Sequence, residues 1–160
     1  METVTTSWPA GARKLNTSRL LLSLLAGFTA VSPFLADFNR THVYNPYWPG
    51  HARFHNGQTM TFGLLSGLLA LYFIWARKSS TAMANWQVAC LLTALYWLAL
   101  VPAIFYPGAT LTDPQYNGRP LDVFFGITVS QLHMGVALLL LIGGCYWVEA
   151  RRLHTAGFRQ

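Results

Sequence analysis

Five histidines punctuate the chain, and His42, His51 and His55 fall together in one polar stretch that runs from Asp37 to Thr59. Histidine changes charge near neutral pH and ligates metals readily, so such a cluster offers acid/base chemistry or metal binding. His51 and His55 are four residues apart, which places both on one face of a helix with Gln58 and Thr59 a turn further on. That spacing can hold a divalent ion between two imidazoles, with His42 or Asp37 as the third ligand. The glutamate of the H-E-x-x-H zinc motif is absent, so the expected metal set is His42, His51 and His55. A plainer reading makes these residues amphipathic anchors for a lipid headgroup layer.

His133 lies in a second, otherwise apolar run. If a helix begins at residue 120, His133 sits about 18 Å along it, near the centre of a bilayer. An ionisable group at that depth signals function. Steps of about 100° per residue put Asp122, Gly126, Ser130, His133, Ala137 and Gly144 on one stripe. His55 would lie about 8 Å deep, so a shared metal shell with His133 is excluded while a bridging substrate is allowed. The expected catalytic set is therefore His51, His55 and His133, with Asp37 or Asp122 orienting one of them. As a purely structural group, His133 would be polar glue between helices.

The elements that must position these groups follow from composition. The chain is 53% apolar and only 10% charged, against about a quarter charged in soluble domains. Four apolar runs at 18–36, 50–76, 85–105 and 120–148 each approach the roughly 20 residues a spanning helix needs. They leave a tail at 1–17, another at 151–160, and no room for a soluble domain. The fold expected is all-α, a four-helix transmembrane bundle. Pro49 suits the start of the second helix, Pro107-Gly108 end the third, and Gly63 with Gly67 favour close helix contact. The first run resembles a secretory signal in having basic residues before it, but no convincing cleavage pattern follows, and it is expected to be retained.

Net charge is +6. Arg13, Lys14, Arg19, Arg77, Lys78, Arg151, Arg152 and Arg159 flank one side of the expected spans, whereas Arg40, Arg53 and Arg119 flank the other. This positive-inside distribution puts both termini in the cytoplasm and argues against nucleic-acid binding. Tyr44, Tyr47, Trp48, Tyr106 and Tyr116 form the outer aromatic belt, and Trp75, Trp86 and Trp147 the inner one. Cys90 and Cys145 lie inside apolar runs as small fillers. The Asn39-Arg40-Thr41 triplet fits a glycosylation acceptor but starts too near the membrane for that use.

The segment Trp48-Pro49-Gly50-His51-Ala52-Arg53-Phe54-His55-Asn56, with Asp37, Asn39, Thr41, His42, Asn45 and Pro46 before it, resembles the signature of a poorly characterised family of small four-helix membrane proteins. Some members are labelled acetyltransferases. Gly50 stands where that pattern has a second proline. The architecture is also similar to anthrone oxygenases and emopamil-binding-type sterol isomerases, although the latter imply buried glutamates that the expected spans lack. The function expected is acid/base chemistry on an apolar small molecule arriving from the bilayer, of isomerase, cyclase or oxygenase type, with a divalent metal as the one cofactor in view. The alternative is a membrane accessory or binding protein, and a homodimer is within reach of so small a bundle.

Overall fold

The computed structural model describes residues 16–75, 82–116, 123–124 and 127–157. Four helices carry the fold: α1 (Thr17–Asp37), α2 (Gly50–Trp75), α3 (Ala82–Leu100) and α4 (Gln131–Gly157). All four are long and apolar enough to cross a membrane, α3 together with its continuation to Phe105. Residues 1–15, 76–81, 117–122, 125–126 and 158–160, Asp122 and Gly126 among them, lie outside the described residues.

Local chemistry sets most boundaries. Asn16 caps α1 by accepting the Arg19 backbone N–H at 2.8 Å, a role that spares one of the unsatisfied donors of the first turn. Pro49 precedes α2, and its carbonyl accepts the N–H groups of Ala52 and Arg53. Past Leu100 the third helix tightens into a 3-10 segment, Val101–Phe105, with Pro102 in its first turn, where it has no N–H to continue the α pattern.

The fourth helix departs from expectation. It starts at Gln131 rather than 120 and runs on to Gly157. Before it, β1 (Val123–Phe124) and β2 (Ile127–Thr128) pair antiparallel, Val123 opposite Thr128. The stretch is rich in β-branched and aromatic residues, which favour strands. A short apolar run of this kind cannot be assigned to helix or strand by periodicity alone.

The helices form a square in which α1 and α3 each pack on α2 and α4, while α2 and α4 stand on a diagonal without contact. The α1/α2 interface is the tightest. A Cβ added at Gly63 would meet the Pro33 ring at 2.6 Å and the Thr29 carbonyl at 3.0 Å, and one at Gly67 would meet Ala30 at 2.7 Å. The expected close contact at this glycine pair is therefore present. Across the bundle, the Trp97 indole donates to Thr29 Oγ1 at 2.8 Å, fixing α3 on α1 among Leu22, Ala26, Ala70, Ile74, Trp86, Ala89 and Cys90. The outer surface is apolar too, with Leu24, Leu35, Tyr72, Leu91 and Leu140 all exposed.

The two ends of the bundle differ. One, the tail end, brings together the start of α1, the end of α2, the start of α3 and the last turns of α4. Here Glu149 is 2% exposed, accepts the Asn16 amide at 2.7 Å and lies 3.6 Å from both Arg19 and Arg152. Arg19 also donates to the Ile74 carbonyl at 2.9 Å and stacks over Trp86. A glutamate is thus buried inside the fourth span, contrary to expectation, because α4 continues past Val148 and carries it under α1. The other end, the loop end, holds the connections after α1 and after α3.

Candidate functional site

Asp37 is the last residue of α1, where the helix dipole disfavours a negative charge. Two partners offset that. The Asn56 amide of α2 donates to Oδ2 at 2.8 Å, and His42 Nε2 lies 3.6 Å from Oδ1. His42 comes from a folded connection whose backbone turns back on the helix, with the N–H groups of Asn39 and Val43 bound to the Asp37 carbonyl.

The protonation pattern of His42 follows from its neighbours. Asn39 Oδ1 accepts the Thr41 backbone N–H at 2.8 Å, which fixes the amide orientation. The Thr41 hydroxyl is 2.6 Å from the same oxygen and must donate to it. Its single proton being spent there, Thr41 Oγ1 can only accept from His42 Nδ1, 2.8 Å away. Neutral His42 therefore carries its proton on Nδ1. Nε2, on the Asp37 side, is left with a free lone pair, and a proton gained there forms an imidazolium facing the carboxylate.

A second connection holds this arrangement in place. The His42 ring meets the Trp48 indole edge to face at 5.2 Å between centroids, and the indole N–H donates to Asp113 Oδ2 at 2.9 Å. Asn45, fully buried, donates to the Thr41 carbonyl, accepts from the Tyr47 N–H and receives Arg53 on its own carbonyl at 2.8 Å. The polar stretch singled out in the sequence is a built cap, not a loose loop.

Beneath the cap is a cavity of about 510 Å³, within the range of small-molecule sites. Asp37, His42, Gln58, Thr59, Tyr96, Thr110 and Gln131 supply its polar side chains, and Phe62, Leu100, Ile104 and Leu132 are among its apolar walls.

The expected site residues divide sharply. Asp37 lines the cavity, as does His42. His51 and His55 do not: both are exposed, on the face of α2 that carries the cavity's Gln58, Thr59 and Phe62 but nearer the start of the helix, their Nε2 atoms 3.0 Å apart. The expected ligand trio is accordingly not formed, since among the described residues no three His, Cys, Asp or Glu side chains gather around a common point. One residue of helix is a turn of about 100°, and it separates exposed His55 from buried Asn56.

His133 is also relocated. With α4 starting at Gln131, it lies in the first turn and is exposed. Its Nδ1 accepts the Ser130 backbone N–H at 3.2 Å and lies 2.9 Å from the Ser130 hydroxyl, so its ring caps the donor at the N-terminus of α4 as one half of a capping box does. It stands at the start of the helix, and Asp122 and Gly126 of the expected stripe lie outside the described residues. Tyr96 and Gln131 also line the cavity and are not among the expected site residues. Both are separated from the cap by whole helices, and no local pattern marks them.

A family model matches residues 21–160, taking in all four helices and the cap. The chain belongs to DUF6640, a family of unknown function. No curated protein and no solved structure matches it. The assignment agrees with the resemblance to a poorly characterised family. What this DUF6640 chain does must therefore be argued from its own cavity.

Proposed function

We propose that this is a multi-pass membrane protein with its tail end in the cytoplasm, and that the loop-end cavity binds an apolar small molecule carrying one polar group, on which His42 performs proton transfer. The arrangement that supports this reading is the pair of His42 and Asp37 on the wall of a largely apolar cavity, with the imidazole oriented by Thr41. His42 Nε2 takes a proton from the bound molecule, Asp37 stabilises the imidazolium, and the proton returns to another atom of the same molecule. An isomerisation or cyclisation balances in this way without a further reactant. Gln58, Thr59, Tyr96 and Gln131 are the groups that would hold the polar end of the substrate.

The reading is tested with purified protein in lipid nanodiscs, a panel of apolar ketones and alcohols, and deuterated water. Wild type is expected to wash deuterium into a bound ligand. His42→Gln should slow that exchange by about 10²–10⁴, the range for loss of a general base, with binding retained. Binding by wild type with no exchange or turnover across the panel would instead support the accessory role.

A further inference from the structure

His51 and His55 remain outside the cavity chemistry, and their geometry is distinctive. The two Nε2 atoms are 3.0 Å apart across one turn of α2, the rings are nearly perpendicular at 82°, and both side chains are exposed. Nitrogen atoms so close must share a proton or an ion. The His55 Nδ1 is 3.2 Å from Gln58 Oε1, and an amide oxygen can only accept. Nδ1 of His55 therefore holds a proton, and its Nε2 presents a lone pair. His51 is kept in place by Phe54, with rings stacked at 11°.

We infer that His51 and His55 form a two-imidazole chelate for a divalent copper or nickel ion on the exposed opening turns of α2. For metal-to-nitrogen bonds of about 2.0–2.1 Å, a 3.0 Å separation subtends an angle of about 95° at the metal, by simple trigonometry on those lengths. That is the angle between adjacent ligands of a square-planar or octahedral ion. A tetrahedral zinc site would hold the nitrogens further apart. Imidazole suits copper, nickel and zinc alike, and copper binds most tightly in the divalent series, so affinity and angle agree on copper first. Binding replaces the proton between the two Nε2 atoms by the ion. His51 retains one proton by moving it to Nδ1, and water completes the coordination. The Gln58 carbonyl then acts as the outer partner that orients a ligating histidine. Because Gln58 also lines the cavity, an ion on this pair would fix one of the cavity's polar groups from outside.

The test is copper titration of the full chain in detergent, followed by electron paramagnetic resonance. One Cu2+ per chain with coupling to two equivalent nitrogens is expected. His51→Gln and His55→Gln should each weaken binding by about tenfold or more, since each removes the linked second ligand, whereas His133→Gln should leave it unchanged. Thermal unfolding of the metal-free variants, close to wild type for exposed positions, establishes that they fold. A single-nitrogen spectrum, binding within twofold of wild type in either variant, or tighter binding of Zn2+ than of Cu2+ would overturn the assignment.

Discussion

Glu149 has exchanged water for the Asn16 amide and two guanidinium groups. Burying a carboxylate is costly, and mutual attraction repays that cost only while the partners are present. Glu149→Leu should therefore destabilise the fold by about 3–5 kcal/mol, the range for breaking a buried pair, and adding Arg19→Met should recover much of the loss. Thermal unfolding of the two variants in detergent measures both. In the sequence, Glu149 beside Arg151 and Arg152 has the look of a solvated stop after the last span. Nothing local says that Asn16 and Arg19, more than a hundred residues earlier, arrive on top of it. His133 shows the opposite displacement. An imidazole surrounded by apolar residues reads as deep, yet Ser130 three residues before it is the stronger cue, because together they begin a helix rather than continue one.

The helices themselves were largely legible. Apolar length, the prolines and the glycine pair give α1, α2 and α3 with their tight α1/α2 contact, because these are local or nearly local properties. The start of α4 was not, since the preceding apolar run satisfies a strand as well as a helix. The glycines provide a test at this scale. Gly67→Ala forces a methyl against Ala30 and should cost about 1–3 kcal/mol, as overpacking does. Gly143→Ala meets open space and should be neutral or stabilise by up to about 1 kcal/mol through helix propensity. Comparing the two melting temperatures separates packing from propensity.

At the scale of the whole molecule, positive charge collects about the tail end, and the proposed orientation rests on that asymmetry. A cysteine placed at Tyr47 in a chain with Cys90 and Cys145 replaced by Ala should react with an impermeant maleimide added to intact cells. One at Thr155 should react only after permeabilisation. The reverse pattern would turn the molecule over and move the cavity to the cytoplasmic face. The polar stretch between α1 and α2 announced a site, and it contributes Asp37 and His42 to the cavity wall. Sequence gives the spacing of His51 and His55 around a helix but not how far His42, on a separate connection, folds from them, and among the described residues the three do not gather. The Trp48 indole that backs His42 is tied to Asp113, 65 residues further along the chain. A ribosome feeding this protein into a bilayer thus delivers the first helical hairpin well before the anchor for its imidazole exists. The proposed chemistry at that ring would be withheld from half-made chains, and a product stopped after α2 would lack a finished wall for its pocket.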